Sequence, residues 1–472
     1  MASNLKSLLE PSSIAVIGAS SKEGKAGNSI VKNLIKFGYK GKIFPINPKE
    51  KEVLGLKCYP SVKEVPEPID LVFISIPAPF VLNAIKECVA KKVRYGVIIS
   101  AGFKEATEEG AKIQDEIVKI AKEGGMRLIG PNCLGIINSH KNIIAVAVTF
   151  DEWRKGSIAF MSQSGVLAGA LAKWIAETQK FGIGISISLG NKCDLDEADI
   201  IEGYLKDDPN IKVIGIYSES IKDGRKFMKV MKEVVKKKPV IMIKSGRSEE
   251  GARAMLSHTG SLAGDDAITD TALRQVGVIR VDGFEDLMDF VKVFDYCPLP
   301  KGNRVGIMTL SGASSVISID LISRWGLRLA ELEKETKEWV EKEIMPPWQP
   351  AKNPLDVWIA MGAGAEKVHR VSIGALLKDP NVDMVLAILL ALPPSYIDVK
   401  KVFSEFLDMA KEKPLLVATQ GDRKEDEWFD VLEEMRIPVF TGPGSIERAA
   451  RAMAALYRYK KYLEKVKEGS TS

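Results

Sequence analysis

The chain holds three histidines, and one of them, His258, stands in the stretch SEEGARAMLSHTGSLAGDD, Ser248 to Asp266. Serine and threonine flank it, and Gly260 and Gly264 follow closely. A neutral imidazole is a good nucleophile near neutral pH. The expectation is a mobile, polar, glycine-marked loop with His258 at its centre. Glu219, in YSES just past an apolar run, is the carboxylate that could serve it. Bonded to one ring nitrogen, a carboxylate fixes the tautomer and leaves the other nitrogen free to attack. Without such a partner Glu219 is an ordinary solvated loop carboxylate, as Asp356 in NPLD is.

Two further stretches suit an anion. In SQSGVLAGALAKW, Ser162, Ser164 and Gly165 open a helix. Free backbone N–H groups and the helix dipole favour negative charge there, although a plain N-cap explains Ser162 equally well. Ser311, Gly312 and Ala313 offer the same equipment before a third-domain helix. Two such cradles suit a phosphate handled at two places, or by two sides of one site. A third tip, GASSKEGKAGN from Gly18 to Asn28, departs from G-x-G-x-x-G at Ser20. The strand after it ends in Pro45-Ile46-Asn47-Pro48-Lys49 with no acidic residue to bind the ribose hydroxyls of NAD. Lysine suits a ribose phosphate, so coenzyme A or NADP fits better than NAD. No G-x-x-x-x-G-K-[ST] occurs.

The elements that must hold these residues alternate in type along the whole chain. Short β-rich runs (SIAVIGAS, GKIFPINP, DLVFISIP, YGVIISAG, MRLIGPN) are separated by amphipathic helical stretches. This is a βαβ series on a parallel sheet, which binds ligands at the carboxyl ends of its strands. A second unit opens at GSIAFMSQSG and a third at RVGIMTLSGASS, after the connection DYCPLPKGN. The two begin alike. The expected domains are 1–150, 151–297 and 298–472, closed by a basic amphipathic helix from Ile446 to Val466 packed on the third. At 472 residues the chain is too long for one core, so roughly two to four domains are expected. The net charge of +5 is too mild for a nucleic-acid surface. Five scattered cysteines without a CxxC pair argue against a closed zinc site and fit reduced thiols in a cytoplasmic protein. No signal-peptide core and no apolar run long enough for a bilayer is present.

GASSKEGKAGN, PINP, IPAPF, SAGFKE, GPNCLGIIN, SQSGVL, SHTGSLAG and NPLD together resemble the alpha subunit of NDP-forming acyl-CoA synthetases, relatives of succinyl-CoA synthetase. Archaeal ADP-forming acetyl-CoA synthetase is the nearest pattern, and the resemblance covers essentially the whole chain. It implies a Rossmann-like CoA-binding domain followed by two flavodoxin-like domains. The implied reaction is acyl-CoA + ADP + phosphate ⇌ carboxylic acid + CoA + ATP, through an acyl phosphate and a transient phosphohistidine at His258. Glu219 would orient that histidine. Gly260, Gly264 and the short neighbours would let its loop travel. Ser162, Ser164 and Gly165, with Ser311, Gly312 and Ala313 opposite, would hold phosphate. CoA would lie along Gly18, Ser20 and Lys25. Asn47 and Lys49 would face its ADP-phosphate end, and Pro77, Pro79 and Phe80 the pantetheine. Ser100, Ala101, Gly102, Asn132 and Cys133 would follow toward the thioester. His140 and His369 lie outside the family's motifs and are expected to be structural or surface residues. The family's nucleotide site lies on an ATP-grasp module, which is not recognisable here. The resemblance therefore implies an ATP-grasp beta subunit carrying ADP/ATP and Mg2+, an α2β2 heterotetramer, and no metal site in this chain. The alternatives are a non-catalytic CoA-binding regulatory protein of the same fold, which has no use for His258, and an NADP-dependent oxidoreductase.

Overall fold

The computed structural model describes residues 5–165, 169–259 and 265–469, and at 256–259 the backbone alone. The chain divides into two compact units, 1–283 and 284–472. Among the described residues the first unit carries two large sheets and the small hairpin pairing Glu52–Val53 with Leu56–Lys57, and the second unit carries one sheet.

The first sheet consists of β1 (Ser13–Ile17), β2 (Lys42–Ile46), β3 (Leu71–Ile74), β4 (Tyr95–Ile98) and β5 (Arg127–Ile129). Its order is β2-β1-β3-β4-β5 and every pairing is parallel. β1, β3 and β4 are buried at every position, as expected of strands covered on both faces. Helices α1 (Ala26–Lys36), α2 (Ala78–Ala90) and α3 (Glu108–Glu123) supply the cover. Val81, Ile85 and Cys88 of α2 and Ile117 and Ala121 of α3 share one core with Val72, Ile74 and Ile98 of the strands. Each large aliphatic side chain so buried contributes about 1.5–3 kcal/mol. Thr107 starts α3 by accepting a hydrogen bond from the Gly110 N–H at 2.9 Å. Glu108 and Glu109 occupy its first turn and Lys122 its last, both favourable against the helix dipole.

The second sheet holds β6 (Gly135–Asn138), β7 (Ile143–Val146), β8 (Ile158–Ser162), β9 (Ile183–Ser188), β10 (Val213–Ser218), β11 (Val240–Lys244) and β12 (Ile279–Val281). The order is β12-β11-β10-β8-β9-β6-β7. β8 to β12 run parallel, whereas β6 pairs antiparallel with both β9 and β7. The hairpin Gly135–Val146 falls within the expected first domain, 1–150, and instead extends the second sheet. Its pairing is long-range, with Ile187 opposite Ile136, and local periodicity carries no sign of it. Between β11 and β12 run α4 (Glu249–Thr259) and α5 (Asp266–Gln275).

The third sheet joins β13 (Arg304–Thr309), β14 (Arg328–Leu329), β15 (Leu355–Asp356), β16 (Met384–Ala391), β17 (Leu415–Gly421) and β18 (Val439–Phe440). It is parallel throughout, in the order β14-β13-β16-β17-β18, with β15 also paired to β13. Helix α6 (Phe284–Tyr296) falls in this unit. It packs on the terminal helix α7 (Ser445–Gly469). Asp289 pairs with Arg448 at 2.6 Å and Asp286 with Arg451, which ties α6 to α7. The terminal helix, expected at 446–466, lies against the third sheet's own elements.

Candidate functional site

In the first sheet the strand order reverses between β1 and β3, which opens a crevice between their carboxyl tips. Gly18 follows β1 at φ +88°, and a Cβ there would lie 2.3 Å from the Ser75 carbonyl oxygen. Gly27, in the first turn of α1, approaches Gly18 as closely: its Cβ would stand 2.1 Å from the Gly18 carbonyl oxygen. The two glycines let the helix N-terminus descend onto the tip. α1 has no side-chain cap at Lys25, so its leading N–H groups face the crevice mouth without a side-chain acceptor.

Asn47 reaches across from β2 and donates from Nδ2 to the Ala19 carbonyl at 2.7 Å, while its Oδ1 accepts from the Lys49 N–H at 2.9 Å. Both polar atoms brace the tip. Ser20 accepts from the Lys22 N–H, and its carbonyl accepts from Asn28. Lys25 and Lys49 are exposed at the rim. Although the second strand ends without an acidic residue, Glu50 folds back toward the tip. Its carboxylate accepts from the Ser21 N–H at 3.0 Å and from the Ser21 hydroxyl. The Ser21 hydrogen bond holds its pKa below the usual carboxylate range.

On the other lip Pro77, Pro79 and Phe80 are exposed at the start of α2, Phe80 by 63%. Ser100 donates to the Ile76 carbonyl, which joins the tips after β3 and β4. Ala101 and Gly102 are exposed, and the Gly102 N–H donates to Glu105 at 2.7 Å. Asn132 is exposed beside them, its N–H donating to the Ser100 carbonyl at 2.8 Å. Cys133 lies underneath, buried, its thiol donating to the Ile98 carbonyl at 3.2 Å. Burial pushes that thiol up to about 12, so it stays protonated and packs rather than reacts.

The segment after β5 leads directly to the expected anion cradle. The Leu134 N–H donates to Ser188 Oγ at 3.0 Å, and the Leu189 N–H donates to the Ser162 carbonyl at 2.7 Å. A Cβ on Gly165 would touch Leu134 at 3.3 Å. The Asn191 N–H donates to the Pro131 carbonyl at 2.9 Å. The end of the crevice and the Ser162–Gly165 turn are therefore neighbours within one unit. Ser162 is buried, and its hydroxyl donates to the Ser164 carbonyl at 2.5 Å and closes the turn. Ser164 and Gly165 are partly exposed above it.

Glu219 follows β10, and it is only 5% exposed, not a solvated loop carboxylate. Gln163, absent from the expected site, fixes its backbone. Gln163 Oε1 accepts from the Glu219 N–H at 2.9 Å and from the Ser220 N–H at 3.2 Å. Its own N–H donates to the Tyr217 carbonyl at 3.0 Å. Glutamine between the two serines is the available sequence signal, since a buried side-chain amide needs backbone partners. Two lysines, also absent from the expected site, stand at the same sheet edge. Lys192 is 1% exposed and pairs with the buried Glu197 at 2.9 Å. Lys244, the last residue of β11, lies beside Ser218 in register.

The His258 backbone does not sit in a loop. It lies in the last turn of α4, which Ser248 opens by accepting from the Gly251 N–H at 3.0 Å. Ser248-Glu249-Glu250 is a legible helix start, a capping serine with acids in the first turn. The glycines beyond the histidine point locally to a loop instead. The His258 side chain, Gly260 and Gly264 lie outside the described residues, and with them the expected bond to Glu219.

In the second unit Ser311 caps helix 312–324, accepting from the Ser314 N–H at 3.3 Å. Gly312 and Ala313 are exposed at this helix start. Asp356 Oδ2 would lie 3.4 Å from a Cβ on Gly312, so a carboxylate already stands beside the dipole's positive end. The remaining histidines are engaged by backbone carbonyls. His140 Nε2 meets Gly156 O at 2.9 Å, and His369 Nδ1 meets Ala365 O at 2.8 Å in full burial, which lowers its pKa.

Three family models match in succession. They are a CoA binding domain over residues 12–139, a succinyl-CoA ligase like flavodoxin domain over 155–294 and a ligase-CoA domain over 305–467. The alpha subunit of acetate–CoA ligase (ADP-forming) I of Pyrococcus furiosus is 40% identical over 98% of this chain and 100% of its own length. Acetate–CoA ligase (ADP-forming) I of Archaeoglobus fulgidus is 42% identical over 98% of this chain, which spans 65% of that longer relative. Among solved structures, acetyl-coenzyme A synthetase 1 of Ca. Korarchaeum cryptofilum in complex with phosphate and ADP superposes with a TM-score of 0.91. It is 35% identical, with 98% of each chain covered.

Proposed function

As the chain belongs to the ADP-forming acetate–CoA ligase family, whose alpha subunits it matches end to end, we propose that it is the acyl-transferring subunit of such a ligase. The reaction is acyl-CoA + ADP + phosphate ⇌ carboxylic acid + CoA + ATP. The observation that carries this reading is the meeting of the two tips: Leu134, just past Asn132 and Cys133, lies against Gly165 of the anion turn. A thioester laid along the crevice ends where a phosphate would sit.

Phosphate oxygen attacks the thioester carbonyl. A C–O bond forms, the C–S bond breaks, and the CoA sulfur leaves with a proton. The neutral ring of His258 then attacks phosphorus. An N–P bond forms, the P–O bond to the acyl group breaks, and the carboxylate leaves. The ring keeps its second N–H and is positive, and Glu219 is the carboxylate assigned to stabilise it. Phosphoryl transfer of this kind asks for positioning and charge stabilisation more than for covalent help. Ser164, Gly165 and the buried turn under them hold the phosphate. Ser311, Gly312 and Ala313, at a helix start of the same kind, are further phosphate-binding residues. Gly18, Ser20, Lys25, Asn47, Lys49, Pro77, Pro79, Phe80, Ser100, Ala101, Gly102 and Asn132 form the CoA crevice, with Cys133 packed beneath. The phosphorylated segment then delivers to ADP on an ATP-grasp beta subunit that holds Mg2+, in an α2β2 assembly in the cytoplasm.

The test is labelling of the αβ complex with γ-labelled ATP. An acid-labile, base-stable label on the parent and none on His258→Ala is expected. Equal labelling of both would remove His258 from the mechanism.

A further inference from the structure

Lys244 has no assigned part in the site, yet its placement is unusual. It ends β11, the strand next to the one that delivers Glu219, and it directly precedes the segment leading into α4 and His258. The residue is 7% exposed. Its ammonium donates to the Ser245 carbonyl at 2.7 Å, and among the described residues no carboxylate lies within ion-pair distance of it. A buried ammonium without a counter-ion is costly. The charges facing it come from every neighbouring element. Arg280 of β12 and Lys192 after β9 repel it, while Asp266 of α5 and Glu219 after β10 attract it. Both cationic neighbours already have carboxylates of their own, Lys192 with Glu197 at 2.9 Å and Arg280 with Asp266. Among the described residues, Lys244 is the member of the group that lacks one.

We infer that Lys244 is a phosphoryl-binding residue, whose missing counter-ion is the phosphate group before and after its transfer to His258. It forms no covalent bond. It binds phosphoryl oxygens at the carboxyl edge between the Ser164–Gly165 turn and α4, where adjacent parallel strands stand about 5 Å apart. Burial, then the charges of Arg280 and Lys192, hold its pKa down to about 8, so it is protonated at neutral pH and loses its charge modestly above it. A bound phosphate would raise that value. This inference rests on the ligase reading.

The experiment uses the complete αβ complex, with Lys244→Gln, Lys244→Arg and His258→Ala beside the parent. For Lys244→Gln the KM for inorganic phosphate should rise at least tenfold and the phosphohistidine yield fall similarly. CoA affinity should stay within threefold of the parent. Lys244→Arg should recover part of the loss. A structural role predicts instead lost melting temperature with an unchanged phosphate KM. The parent supplies a measurement that needs no variant: kcat/KM for phosphate should decline between about pH 8 and 9.5, where phosphate is already a dianion. A phosphate KM within threefold of the parent in Lys244→Gln overturns the inference. So does a flat profile in the parent if that variant does not fold. If instead the parent forms no phosphohistidine, or His258→Ala labels equally, it is the ligase reading that fails.

Discussion

Glu219 shows how much a residue's surroundings can differ from what its place in the sequence suggests. In sequence it is one acid after an apolar strand. In the structure it is buried, and Gln163 clamps its backbone from the Ser162–Gly165 turn, distant in chain order but adjacent in space. On the proposed mechanism, a buried carboxylate so fixed would favour the cationic ring formed by His258. Glu219→Gln keeps shape and an acceptor and loses the charge. Turnover of the αβ complex should drop by about 10²–10⁴-fold, the range for such positioned groups, and phosphohistidine should fall with it. CoA affinity, measured by calorimetry, should stay within a few-fold because the first sheet is untouched. Full phosphorylation of Glu219→Gln would return Glu219 to the status of an ordinary carboxylate.

Among the elements, the β1–α1 junction does most to shape the ligand crevice. Gly18 passes under the Ser75 carbonyl at a positive φ, and Gly27 brings α1 down onto it. Gly18→Ala places a methyl group within 2.3 Å of a backbone oxygen that cannot swing away. The strain at such a position is of order 1–3 kcal/mol, and relieving it must part β1 from β3. The variant should melt earlier than the parent, and its CoA affinity should fall tenfold or more in a calorimetric titration. A folded Gly18→Ala that binds CoA as the parent does would mean that CoA lies elsewhere than between β1 and β3.

At the scale of the molecule, the chain holds the crevice and the Ser162–Gly165 turn side by side in one unit but no recognisable phosphate loop for a nucleotide. About a third of the longer relative from Archaeoglobus fulgidus lies outside the stretch that this chain matches. The purified chain should therefore bind CoA, visible as a thermal shift, and form no ATP from acetyl-CoA, ADP and phosphate until a beta subunit is added. NADPH should produce no shift. Robust ATP formation by the rigorously pure chain would defeat the division of labour.

The sequence by itself determined the alternation of strands and helices, the glycine- and serine-bearing tips, and the motif series from GASSKEGKAGN to NPLD that identifies the family. These are local patterns, carried by periodicity and by turn chemistry within a few residues. Even the helix under His258 is legible in Ser248-Glu249-Glu250 once the cap is weighed above the glycines. Only the tertiary structure decided which tips meet. Strand order is set by packing between distant segments, so nothing near Leu134 announces Gly165, and nothing near Gly135–Val146 announces its antiparallel place beside β9. The same holds for charge. Lys244 reads as one lysine among many until the sheet buries it beside Arg280 and Lys192, because desolvation is a property of the assembled core and not of the residue.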